Sequence, residues 1–349
     1  MNQHNQKVTC VGAGIVNLIS AYYLLKKGYQ VQIIDKCGNP FEGKKWQQQG
    51  ATFGGENARM YSLTEADNYN EKKHKIYSNM THVFEKSIHE DGWRVTNQIG
   101  EAEKEWISEF KSINPEAART YAEDIYKINV SAGTIWDDLI ASEPSLFEDT
   151  NVKHDIVRVY SHKADFLAAR EVHKRLGSYL HTVEGSQLGE VLPCHEKAKT
   201  DEMLGGVMKV KGFTLQVHDF CKNLISYLTE RGATFFWHKE LKKIIKNDRG
   251  EICGLKVDDE VIHSDHYVLS LGAYAGNTLD GVLCRNRIQG VLGIWLSLPD
   301  VYGLPHSFKI HKNGHVGEDT NVTLVRDHGH QRLVFGSGYG YVGKIKRMK

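Results

Sequence analysis

The sequence predicts an α/β protein, a Rossmann-like domain joined to a second, α+β domain built on a mostly antiparallel sheet. Three observations lead there. Residues 7–35, KVTCVGAGIVNLISAYYLLKKGYQVQIID, read as a strand, a glycine turn, an amphipathic helix and a second strand. Residues 65–150 carry Glu, Lys and aromatic residues at helical spacing, as in EAEKEWISEFKSI and GTIWDDLI. From Ile288 onward nearly every segment reads as strand: GVLGIWLSL, HSFKIHK, NVTLVRD and RLVFGSG.

The first segment carries the chemistry. A buried strand over Val8–Val11 runs into Gly12 and Gly14, and a helix follows from about Asn17 to Lys27. Gly12 permits the tight turn, and Gly14 lets the backbone approach a pyrophosphate at a helix N-terminus. Asp35 closes the second strand about twenty residues on, where a carboxylate accepts from ribose hydroxyls. The pattern departs from G-x-G-x-x-G at its third glycine, which here is Asn17. A side chain there is expected to push helix and strand slightly apart or to turn outward. The competing reading is a βαβ unit with a chance Gly-Ala-Gly, which would make the position and spacing of Asp35 accidental.

Further along, DIVRVY (155–160) predicts a strand and ADFLAAREVHKRLG (164–177) a helix ending on glycine. Residues 203–245 give a glycine-rich strand, an amphipathic helix stopped at Gly232, and a strand from Thr234. HKELKKIIKNDRGEICGLKVDDEVI alternates as strand, turn and strand, and YVLSLGAY (267–274) reads as a buried strand running into glycine. The expected division is 1–80 plus 215–280 for the discontinuous first domain and 81–214 plus 281–349 for the second.

Composition narrows the functions. The chain has 349 residues, 25% charged, with a net charge of +1, which argues against nucleic acid as a partner. No apolar run is long enough to span a bilayer. The polar start MNQHNQK leaves no room for a signal peptide, so a cytoplasmic location is expected. The six cysteines (10, 37, 194, 221, 253, 284) contain no C-x-x-C pair and read as reduced thiols. The 18 histidines lack an H-E-x-x-H, and the close pair His328 and His330 falls in a probable turn, so no metal site is expected.

Three segments in order resemble the flavoprotein family of D-amino-acid oxidase, glycine oxidase and sarcosine oxidase: GAGIVNLISAYYLLKKGYQVQIID, GGVMKVKGFTLQVHDFCKNLISYLTERGATFFWHKELKKI and DHYVLSLGAYAG. The resemblance implies a glutathione-reductase-type FAD-binding domain. It places Gly12, Ala13, Gly14 and Ile15 on the FAD pyrophosphate, with Val16, Asn17 and Lys36 beside them, and Asp35 on the ribose. Gly54, Gly55, Asn57, Ala58 and Arg59 resemble the loop under the isoalloxazine ring. Leu241 matches a position whose backbone faces adenine, and Ser270, Leu271 and Gly272 lie against the ribityl or pyrophosphate. For Gly55 and Leu241 a purely structural role explains the residue nearly as well.

Catalytic residues are harder to assign. Arg59 reads equally as a surface cation or as a guanidinium facing flavin or substrate carboxylate. Arg326 reads as an inward strand arginine or, more simply, as an edge-turn cation. Tyr274, Tyr339 and Tyr341 can line a substrate cavity through their hydroxyls, while GYGYVG reads equally as a β-bend with packed aromatics. After RLVFGSGYG the resemblance implies a Trp-x-Gly-x-Arg-Pro-like stretch whose arginine clamps a substrate carboxylate. The sequence reads VGKIKRMK instead, and a truncated product is expected ahead of completion by another polypeptide or a partial reading.

The implied activity is FAD-dependent oxidation of an amine or amino acid to an imine that then hydrolyses. The substrate partner is a small molecule. An inactive flavin-binding remnant is the alternative from another class. An NAD-linked dehydrogenase fits less well, because regular βαβ units do not follow the first.

Overall fold

The computed structural model describes residues 6–42, 59–64, 84, 86–90, 92–95, 98–197, 204–279, 286–311, 319–327 and 330–343. Along the chain the strands are β1 (Lys7–Val11), β2 (Gln30–Ile34), β3 (Met60–Ser62), β4 (Lys153–Tyr160), β5 (Tyr179–Thr182), β6 (Gly206–Thr214), β7 (Thr234–Phe236) and β8 (Leu241–Lys246). They continue with β9 (Ile252–Val257), β10 (Glu260–Ile262), β11 (His266–Leu269), β12 (Gly290–Pro299), β13 (Phe308–His311), β14 (Asp319–Asp327) and β15 (His330–Gly343).

Four of these strands form a parallel sheet in the order β11-β1-β2-β7. Helix α1 (Ile15–Lys26) returns the chain from β1 to β2. It packs on one face of the sheet with the helix Val217–Glu230, whose Phe220, Cys221, Leu224, Ile225 and Leu228 point inward at helical spacing. Val8, Cys10, Leu18, Ala21 and Tyr22 complete that core. The two helices stop at Gly28 and Gly232, which take φ of 85° and 90°, a conformation that side chains adopt only at cost. On the opposite face an antiparallel β8-β9-β10 meander lays Leu241, Leu255 and Val257 against Val11 and Ile34. Covered on both faces, β1 and β2 are buried along nearly their whole length, and the polar pair inside them is satisfied by Gln32 Nε2 donating to Thr9 Oγ1 at 2.6 Å.

The expectation of a buried strand at 267–274 needs correction. β11 is an outer strand of this sheet, pairing within it with β1, and its residues are exposed or half-buried.

The second sheet has eight strands, in the order β12-β15-β14-β13-β4-β6-β3 with β5 on β6. Every pairing is antiparallel except β13 with β4. The predicted helical insertion is present as the helices Glu101–Ser112 and Pro115–Ser142, while 65–83 fall outside the described residues. The longer helix starts where Asn114 accepts from the Ala117 N–H at 2.8 Å and Pro115 takes the first turn. Its Trp136 packs against Tyr61 of β3 and against Phe220, so it joins the second sheet to the helix Val217–Glu230. Among the described residues no helix is long and apolar enough to cross a membrane.

Candidate cofactor site

The site lies at the C-terminal ends of the parallel strands, where β1 is flanked by β2 on one side and β11 on the other. Gly12 takes φ of 99° and donates its N–H to the Ile34 carbonyl at 2.8 Å. A Cβ here would fall 2.3 Å from the Ser270 carbonyl oxygen. The turn therefore requires glycine for two reasons, its φ and the strand end beside it. Gly14 is different. It begins α1 with φ of −78°, and a Cβ added there would meet no atom of the described residues within 4 Å. Space opens in front of Gly14, as a backbone that receives a ligand needs.

α1 has no side-chain cap and no acid in its first turn. Its first N–H groups have no intrahelical acceptor, and the positive end of the helix dipole faces the same space. An anion is the natural complement of that geometry.

Asn17 overturns one expectation attached to it. It does not turn outward. Its side chain is fully buried, and Nδ2 donates to the carbonyl oxygens of Val11 at 2.7 Å and Gly12 at 2.8 Å. Two carbonyl acceptors fix the amide orientation. The third glycine of the usual pattern is replaced by an amide that ties α1 to the turn. An asparagine side chain is short enough to do this from the first turn of the helix.

Asp35 sits half-buried just past β2. Its Oδ2 accepts the Ala13 N–H at 2.7 Å and its Oδ1 the Cys37 N–H at 2.8 Å. The carboxylate is thus aimed at the glycine turn before any ligand is considered, and beyond the two N–H groups and the Cys37 thiol that it already accepts it has lone-pair capacity for a hydroxyl donor. Lys36 is exposed, and its Nζ lies 3.3 Å from the centroid of the Tyr274 ring.

Other predicted residues fall at varied distances from this geometry. Ile15 and Val16 open α1, and Ser270, Leu271 and Gly272 continue from β11, with Gly272 at φ of 57°. Leu241 is buried against Val11 and Ile34, the last residues of β1 and β2. Arg59 is 6% exposed with φ of 52°, which excludes the surface-cation reading, and it precedes β3. Gly54, Gly55, Asn57 and Ala58 lie outside the described residues.

Of the readings left open for these side chains, Arg326 follows the edge-turn cation and Tyr341 the packed aromatic. Arg326 is exposed, with its N–H donated to Gln216 Oε1 at 3.0 Å, so its side chain is not turned inward. Tyr341 packs into an aromatic cluster with Phe84 and Trp106, where burial pushes its hydroxyl well above the usual tyrosine range. Tyr274 is 42% exposed beneath Lys36. The side chain of Tyr339 is outside the described residues.

The sequence reading did not single out Arg158, a buried cation. Arg158 of β4 is 5% exposed and hydrogen-bonds Ser62 at 3.1 Å, Thr64 at 3.3 Å and His311 at 3.1 Å. In DIVRVY it alternates with apolar residues like any half-exposed strand position, so nothing local in the sequence marks it.

Comparison with known proteins bears on the family and the fold. D-amino acid dehydrogenase 3 of Mesorhizobium japonicum is 24% identical over 271 residues, covering 76% of this chain, and the match spans 61% of that relative's length. Glycine oxidase from Geobacillus kaustophilus shares the fold at a TM-score of 0.59 and 15% identity, over 99% of this chain and 74% of its own. Iminodiacetate oxidase from Chelativorans sp. BNC1 does so at 0.54 and 15%, over 98% and 74%. The family model described as FAD dependent oxidoreductase matches residues 7–347. The chain belongs to the FAD dependent oxidoreductase family.

Proposed function

We propose that this chain holds FAD across the C-terminal edge of its parallel sheet and serves the oxidation of an amine or amino acid. The observation that carries the reading is the combination at the turn. The open side of Gly14 and the uncapped start of α1 face one space, and the Asp35 carboxylate stands at its border. An anionic pyrophosphate with a ribose beside it matches that donor and acceptor set.

In this reading the N–H groups of Gly14, Ile15 and Val16 face the pyrophosphate, and Asp35 accepts from ribose hydroxyls. Leu241 offers its backbone beside the adenine, and Ser270, Leu271 and Gly272 border the other half of the dinucleotide. Asn17 acts indirectly, by holding the turn. Arg59, buried and fixed, is the candidate for a cation facing flavin or substrate carboxylate. When bound, FAD supplies the two-electron acceptor for the hydride leaving the carbon that bears the amine. The substrate's imine then hydrolyses to a keto or aldehyde product. The named relatives suggest D-amino acids, glycine and iminodiacetate as first substrates to try.

Anaerobic titration of the purified, FAD-loaded protein tests the activity. Bleaching of the flavin absorbance by one of these amines supports oxidation. A stable yellow colour with every amine tried supports a flavin-binding protein without catalysis, and a colourless protein that retains NADH contradicts the cofactor assignment.

A further inference from the structure

We infer that Lys36 and Tyr274 form a clasp across the cofactor crevice that slows release of the dinucleotide, an inference that rests on the FAD reading above. The argument begins with strand order. In β11-β1-β2 the central strand ends in the glycine turn, and its two neighbours end on either side of it. Lys36 is the second residue past β2, and Tyr274 is the fifth past β11. Each wall is tied to the floor between them. Asp35, next to Lys36, accepts the Ala13 N–H, and Ser270 donates its N–H to the Val11 carbonyl at 3.0 Å.

Residues rooted on opposite walls meet only by reaching over the floor. Lys36 Nζ does so, 3.3 Å from the centroid of the Tyr274 ring. Both side chains are exposed, so neither is held in place by a core. The ammonium is attracted to the electron-rich face of the ring, and each group remains able to swing into water. A contact between two exposed side chains rooted on neighbouring strand ends opens and closes without disturbing the fold. A lysine there also adds positive charge on the path of an anionic ligand.

The test is the dissociation rate of FAD, followed by recovery of flavin fluorescence after dilution of the full-length loaded protein. Removing one exposed cation–π contact is expected to speed release roughly two- to five-fold in Lys36→Ala and in Tyr274→Ala. Tyr274→Phe and Lys36→Arg keep a ring and a cation, and both are expected to release FAD at the wild-type rate. Melting temperatures measured alongside are expected to be unchanged in all four variants. Release at the wild-type rate in both alanine variants overturns the clasp while leaving the FAD reading intact. A wild-type protein that takes up no FAD overturns both.

Discussion

Asn17 donates its side-chain amide to the carbonyl of Gly12 at 2.8 Å, and through the same nitrogen to Val11 at 2.7 Å, so a residue of α1 fastens the turn that precedes it. The Ser270 N–H also bonds the Val11 carbonyl. One amide therefore sits where β1, α1 and the end of β11 meet. Truncating it in Asn17→Ala removes two buried hydrogen bonds and is expected to cost about 2 kcal/mol. Chemical denaturation should show the loss with an unchanged m-value. Asn17→Gly, which restores the usual glycine, is expected to lose stability as well, because the surroundings are built around the amide.

Gly12 and Gly14 differ in a way that separates folding from binding. Gly12→Ala meets both a left-handed φ and the Ser270 carbonyl. It is expected to cost more than about 3 kcal/mol and to reduce soluble yield. Gly14→Ala has an ordinary φ and open space, so the melting temperature should stay at the wild-type value. The added methyl projects into the ligand's space, and FAD affinity should fall at least roughly tenfold. Thermal denaturation and flavin titration of the pair check both statements.

Asp35→Asn keeps one acceptor oxygen but turns an NH2 toward one of two N–H donors, from Ala13 or Cys37. A destabilisation of about 1–2 kcal/mol follows from the lost hydrogen bond. A larger relative loss should appear in FAD affinity, where the ribose acceptor is also weakened. Equal affinity in wild type and variant would remove Asp35 from the cofactor site.

Glu143 gives the fold a pH handle. It joins three elements by accepting from Tyr22 at 2.8 Å, Tyr227 at 3.2 Å and Lys26 at 3.3 Å. Burial alone would raise its pKa, but these hydrogen bonds and the Lys26 charge outweigh that and hold it below the ordinary carboxylate value. A depressed folded pKa means that the stabilisation is fully present above the unfolded value, about 4.3. It is lost as pH falls through the lower folded value. Glu143→Gln should therefore lower stability at neutral pH and flatten the acid limb below about pH 4.3, read from melting temperature against pH.

How far the sequence reveals the site depends on whether a residue acts through its own chain neighbours. The β1–turn–α1–β2 unit is local, so Gly12, Gly14 and Asp35 were legible from spacing, and the stops at Gly28 and Gly232 from composition. The departure at Asn17 is visible in the sequence, but its bond back to the turn is not. The glycine rule describes close helix packing and says nothing of an amide that bonds back to the turn. Long-range contacts were harder. Lys36 and Tyr274 are more than two hundred residues apart, and only the strand order brings them together. Arg158 and the aromatic site of Tyr341 depend in the same way on the eight-stranded sheet, whose register no local pattern fixes. The exposure of β11 follows from its edge position, which an apolar run alone does not disclose.

The central claim is that the clamped glycine turn and Asp35 form an FAD cradle, and fluorescence titration of purified Gly14→Ala beside wild type with FAD tests it most directly. The claim predicts saturable binding of one FAD per wild-type chain, with affinity reduced at least roughly tenfold in the equally stable variant. Indistinguishable FAD affinity in the two proteins, or no binding by wild type, would contradict it.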